Sequence, residues 1–250
     1  MKKILSISNS FGVDSTRYLY GVARGAGCDI KVVTLYIGGC SLGRHYRNML
    51  SEERAYELYV NGVNSGFRVS LKEALLSDEW DMVMTQQSSP RSGEAESYFP
   101  YVTELAAYIR RLAPAAELWL QMTWSFDEGH KRFDLTSYAT RETMIPAIRS
   151  AYTRAAREIG VDRMIPALDA MNLLYGAVGA ATYRDGFHCS LGIARYMLAC
   201  LWFEMLFDRS TDGNTFCDFD VPMTDEEIAM ARRFAKEALT ASNNGFLTKE

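Results

Sequence analysis

Ser10, Asp185 and His188 are the residues of this chain whose types and spacing could carry nucleophilic chemistry. Asp185-Gly186-Phe187-His188 sets a carboxylate and an imidazole three residues apart, so one short turn of chain can bring the acid to the ring. A serine hydroxyl is a weak nucleophile until an imidazole takes its proton, and that imidazole must be held in one tautomer. The chemistry such a set performs is acyl transfer, whose tetrahedral intermediate needs fixed hydrogen-bond donors. The candidate donors are the backbone N–H of Ser10, the backbone N–H of Gly39 and the side-chain amide of Gln87. Gln86 is the reserve if strand alternation points the other way.

Each of these residues also has a plain structural reading. Ser10 could be a turn residue, Asp185 and His188 helix caps, and Gly39 a supplier of positive φ. Trp124 and Tyr183 are candidate substrate contacts, Arg184 is a further candidate, and Phe126 reads as core. His45 and His130 read as solvated loop residues. Cys189 lies beside His188 but lacks a second histidine nearby, which argues against a thiol nucleophile.

The elements that must position this set alternate in type. Ile4-Leu5-Ser6-Ile7 is a short buried strand that stops at Asn9-Ser10-Phe11-Gly12, a turn signal. A helix capped by Asp14 or Ser15 is expected to follow to about Arg24. Further strands are expected over 30–37, 82–87, 117–122 and 161–165, and further helices over 71–76, 98–112, 137–159, 191–207 and 225–240. Pro146 is expected to kink or restart the third of these helices. A helical turn is expected over 167–175. A hairpin insertion is expected around 56–70, on the strength of Asn61-Gly62 between two β-type runs. Residues from Ala241 onward are expected to fray. Alternation of this kind predicts an α/β fold with a mainly parallel sheet covered on both faces, in a single domain over 1–250. Parallel strands share one carboxyl edge, so Ser10, Gly39, Gln87 and Trp124 are expected to cluster there.

Composition bounds the function class. A net charge of −4 lends no support to a nucleic-acid partner. Five cysteines, an odd number without CxxC spacing, argue against a disulfide framework and a structural zinc. No apolar run reaches the ~18 residues of a membrane span, and no signal peptide is visible, so a soluble, cytoplasmic chain is the expectation. There is no GxGxxG after the first strand and no GxxxxGK[ST], which argues against a nucleotide-binding domain.

The blocks Ser8-Asn9-Ser10-Phe11, Gly38-Gly39 and Asp185-Gly186-Phe187-His188 together resemble the SGNH, or GDSL-type, serine hydrolases. The resemblance spans about residues 4 to 205 and looks closest to a branch of unknown function with Asn-Ser-Phe at the nucleophile. Two blocks depart from the family pattern. Gly-Asp-Ser-Leu is Ser-Asn-Ser-Phe here, and the third block, which usually ends in Asn-Asp, is Gln86-Gln87-Ser88-Ser89. The resemblance implies a three-layer α/β/α sandwich and ester hydrolysis with no metal and no cofactor. Ser10 would be the nucleophile, His188 the base and Asp185 its orienting acid. The substrate expected is a small acyl ester, acetyl-like, on a carbohydrate. The alternative is a non-catalytic protein of the same fold that binds a glycan or an acylated ligand.

Overall fold

A computed structural model describes the backbone of residues 1–246 and the side chains of residues 1–241. The first strand, β1 (Lys2–Ser8), buries Ile4, Leu5 and Ile7 completely. It pairs in parallel with β2 (Ile30–Tyr36) on one side and with β5 (Met82–Thr85) on the other. Beyond β5 lie β6 (Glu117–Gln121) and the two-residue β7 (Met164–Ile165), both parallel. Beyond β2 the hairpin β3 (Tyr56–Val60) and β4 (Val63–Val69) continues the sheet antiparallel. The order is β4-β3-β2-β1-β5-β6-β7. The chain runs from β1 to β2 on one side and later returns to β5 on the other. The carboxyl end of β1 is therefore where the strand order reverses, the place where open α/β sheets put their ligands.

The expected hairpin is present, as an extension of the sheet. Its turn residues Asn61 and Gly62 both have positive φ (52° and 83°), as a two-residue type I′ turn demands. Helices cover both faces of the sheet. One layer is α1 (Ser10–Thr16), α2 (Leu19–Gly25), α7 (Ala167–Val178), α8 (Ile193–Phe207) and α9 (Asp225–Phe246). The other is α3 (Leu42–Ser51), α4 (Leu71–Leu76), α5 (Tyr101–Leu112) and α6 (Arg141–Ile159). The buried α8, with Leu198 to Phe203 wholly enclosed, is the hub of the first layer. Among the described residues no helix is long and apolar enough to cross a membrane.

Several boundaries differ from expectation for identifiable reasons. The first helix begins at Ser10, because the Asn9 side chain accepts from the Phe11 N–H and caps it there. It breaks after Thr16, where the Ser15 and Thr16 hydroxyls bond back to the carbonyls of Phe11 and Gly12, a pattern that bends helices. The stretch after Cys40 is the helix α3, capped by Ser41 on the Arg44 N–H. α6 starts at Arg141 under a Thr140 cap and runs through Pro146 as one helix. α7 extends to Val178, three residues beyond the expected turn. α9 continues to Phe246 where fraying was expected, and residues 247–250 lie outside the described residues.

Candidate active site

Ser10 is the first residue of α1, at the carboxyl end of β1. Its Oγ lies 2.9 Å from His188 Nε2. His188 Nδ1 lies 2.7 Å from Asp185 Oδ2. The other carboxylate oxygen, Oδ1, accepts from the His188 N–H at 2.8 Å and from the Phe187 N–H at 3.3 Å. Both oxygens of Asp185 are therefore committed to the turn that carries the imidazole. A carboxylate only accepts, so a neutral His188 must donate from Nδ1 and present a bare Nε2 to the Ser10 hydroxyl. Burial alone would raise the Asp185 carboxyl, but the hydrogen bonds from His188 and Phe187 outweigh it and hold the group below the usual carboxylate range.

The turn closes through Gly186, whose φ is +80°. A Cβ there would also meet the His130 ring at 2.4 Å, so any other residue is both strained and obstructed. The His188 ring sits between two aromatic side chains. Phe187 lies 3.8 Å from it, centroid to centroid, and Phe11 lies edge-on at 6.0 Å.

A pocket of about 280 Å³ opens over Ser10 and His188. Gly38 and Gly39, in the loop after β2, form one wall. Gly39 has φ of +60°, and its N–H and that of Ser10 carry no hydrogen bond among the described residues. Ser89, Arg132 and Phe187 line the pocket as well. The arrangement can activate a hydroxyl and offers two backbone donors beside it.

Neither glutamine reaches this pocket. Both amide hydrogens of Gln87 are engaged, by the carbonyl and the hydroxyl of Ser97, each at 3.1 Å. Its Oε1 accepts from the N–H groups of Leu42 and Ser88. Gln87 thus ties the loops after β5 and β2 together, which corrects its expected place as an oxyanion donor. Gln86 is engaged in a row of buried side chains across the sheet. Trp202 donates to Gln121, Gln121 to Gln86 and Gln86 to Asn9, each at 2.7 Å. Asn9 in turn donates to the Cys40 carbonyl at 3.0 Å. The asparagine before Ser10 therefore caps α1 and anchors the glycine loop at once.

Trp124 and Tyr183, expected to contact substrate, are buried and do not line this pocket. Trp124 is 1% exposed, stacked on Phe11 at 3.9 Å, and donates from Nε1 to the Phe187 carbonyl at 2.8 Å. Tyr183 is buried, where its hydroxyl accepts from Arg141 and donates to the Ser125 carbonyl. Both hold the loop that carries His188. Arg184 turns away from the pocket onto Asp14. Phe126 is core, as expected.

His45 is buried on α3 against the Tyr56 hydroxyl, contrary to the solvated loop expected, and burial pushes its pKa down to about 3. His130 is half-buried, accepts from the Arg132 N–H and packs near Phe187. Cys189 is buried, and burial pushes its thiol well above the usual range, against any nucleophilic role. No sequence pattern marks Ser89 or Arg132 as a site residue. One sits in a polar loop after β5 and the other in a charged stretch after β6, and neither place has a periodicity that marks it.

None of the curated protein sequences matches the chain. Among solved structures it is similar to a DUF4886 family protein from Bacteroides uniformis. Identity is 29%, with a TM-score of 0.87, over 97% of this chain and 96% of that one. It shares its fold with a protein from Slackia heliotrinireducens provisionally assigned as an SGNH hydrolase. There identity is 22% and the TM-score 0.55, over 79% and 94% of the two chains. A carbohydrate esterase of family 3 from Talaromyces cellulolyticus also shares the fold, at 11% identity and a TM-score of 0.55, over 83% and 97%. The profile of DUF4886, a domain of unknown function, matches residues 3–238, and the chain belongs to that family.

Proposed function

We propose that this protein is a serine ester hydrolase of SGNH type acting on a small acyl ester. The observation that carries the reading is the unbroken run from Ser10 Oγ through both nitrogens of His188 to Asp185, at 2.9 and 2.7 Å, facing a pocket. Ser10 Oγ attacks the ester carbonyl carbon while His188 Nε2 takes the hydroxyl proton. Asp185 stabilises the imidazolium that results. The carbonyl oxygen, now an oxyanion, accepts from the Ser10 and Gly39 N–H groups. Collapse breaks the bond to the alcohol oxygen, which leaves with the proton from His188. Water then attacks the acyl-serine by the same route, releasing the acid and restoring Ser10.

The pocket, about 280 Å³, lies at the small end of ligand sites and suits a short acyl group. Acylated carbohydrates are the first class to screen, because a protein of the same fold is a carbohydrate esterase. Trp124, expected to offer a stacking face for that sugar, is buried and offers none.

The test is hydrolysis of p-nitrophenyl acetate by wild type and Ser10→Ala, with fluorophosphonate labelling beside it. The expected result is turnover and labelling in wild type and neither in the variant. Equal turnover in both proteins overturns Ser10 as nucleophile. A wild type that neither turns over esters nor takes the label overturns the enzyme reading in favour of a binding protein.

A further inference from the structure

Arg132 brings a positive charge into the pocket that holds Ser10 and His188. Its guanidinium carbon lies over the Phe187 ring, 3.5 Å from the centroid, and Phe187 in turn packs on His188. The side chain is half-buried, yet among the described residues it has no carboxylate or carbonyl partner. Its backbone N–H donates to His130 Nδ1. The other arginines that are buried or half-buried are matched. Arg17 and Arg195 pair with Asp220, and Arg141 donates to the Phe126 carbonyl, to Tyr183 and to Asn172. Asp185 is the acid Arg132 senses, but both its oxygens are held by the His188 turn. A guanidinium stacked on one face keeps its in-plane N–H groups free, and these form a fork that fits a carboxylate.

Resting on the esterase reading above, we infer that Arg132 selects esters that carry a carboxylate a few atoms from the scissile carbonyl. Arg132 is the one cation among the residues lining this pocket, which suits a single negative charge. The carboxylate takes the place of water at the guanidinium and turns the carbonyl toward Ser10. Neutral esters of the same length lack that anchor. A charge-assisted pair of this kind corresponds to about 10- to 100-fold in affinity or kcat/KM.

The experiment compares two matched pairs of esters. One pair carries the charge on the acyl side, 4-nitrophenyl hydrogen succinate against 4-nitrophenyl butyrate. The other carries it on the alcohol side, 4-acetoxybenzoate against phenyl acetate. Wild type should favour the anionic member of at least one pair. In Arg132→Gln the ratio of kcat/KM, anionic to neutral, should fall by about 10- to 100-fold for that pair. Arg132→Lys, which keeps the charge and loses the fork, should recover part of it. A ratio unchanged in both pairs overturns the inference, because an arginine acting on the oxyanion or on Asp185 would lower both members alike. A second arm reads binding alone. Monomethyl succinate is titrated calorimetrically into Ser10→Ala and into Ser10→Ala with Arg132→Gln. Affinity at least tenfold weaker in the double variant supports the inference, and equal affinity overturns it. If Ser10→Ala still hydrolyses ester, the esterase reading falls while this titration still judges Arg132.

Discussion

Asp14 holds Arg184, and through it the two halves of the candidate site are joined. Asp14 lies on α1, four residues after Ser10, and is 1% exposed. Arg184, the residue before Asp185, donates from Nη1 to both of its oxygens at 3.1 and 3.0 Å. Arg195 on α8 donates to the same carboxylate at 2.7 and 2.9 Å. The helix that begins with Ser10 is thus tied to the turn that carries His188. Removing the buried acid would leave Arg195 enclosed with one partner fewer. Asp14→Ala is expected to lower the free energy of unfolding by about 3–5 kcal/mol, measured by urea denaturation. Arg184→Met touches the more exposed partner. Asp14 keeps Arg195, so the variant should lose less stability than Asp14→Ala but lose up to ~10²-fold in turnover, since small misplacement of reacting groups is costly.

Asp185 orients His188 by accepting from Nδ1, and an amide in its place could offer an N–H there instead. That would favour the tautomer with the proton on Nε2, which cannot accept from Ser10. Asp185→Asn is expected to lower kcat roughly 10³- to 10⁴-fold. The carboxylate is 42% exposed, so its loss should leave stability nearly unchanged. Steady-state kinetics and thermal melts on the same preparation separate the two effects. A variant that kept a tenth of wild-type turnover would remove Asp185 from the reaction.

The parts of this site legible in the sequence are the ones set by local spacing. Ser10 at a strand end and Asp185 three residues before His188 are short-range patterns, and the alternation of elements brings them to one sheet edge. Less legible is which polar atoms remain unpaired once the loops have packed. Gln87 and Trp124 come from the expected strand ends, but their polar groups are taken by Ser97 and by the Phe187 carbonyl. Those partners lie 10 and 63 residues away in the chain, and no sequence pattern couples them. Arg132 has the opposite history. It sits in a stretch that reads as a charged loop, and only the packing of Phe187 turns its guanidinium into the pocket. The helix α3 was hidden because its first residues continue a loop signal from Gly38-Gly39.

Gln87 supplies a direct contrast between a catalytic and a structural amide. An oxyanion donor is worth about 10²–10³ in kcat and little in stability. Gln87 as found here satisfies the buried N–H groups of Leu42 and Ser88, and an unsatisfied buried donor costs about 1–3 kcal/mol. Gln87→Ala is therefore expected to destabilise the fold by about 2–4 kcal/mol. The kcat of its folded fraction should stay within tenfold of wild type. Active-site titration with a fluorophosphonate counts the folded fraction and normalises the rate. A stable variant with a kcat reduced 10²-fold would restore the amide to the oxyanion.

The acid limb of stability should carry the signature of Asp220. Burial by itself would raise this carboxyl, but hydrogen bonds and charge from Arg17, with help from Arg195, hold it below the usual carboxylate range. In the unfolded chain the group titrates at about 3.9. Its folded form is therefore the weaker proton binder, and acidification favours the unfolded chain. The stabilisation is complete above about pH 5, begins to go as pH falls through the unfolded value, and is lost once pH has passed the folded one. Unfolding free energy measured in urea should decline between about pH 5 and pH 3, and Asp220→Asn should flatten that slope while lowering stability at pH 7. A slope identical in wild type and variant would mean that Arg17 and Arg195 contribute nothing to the fold through this carboxylate.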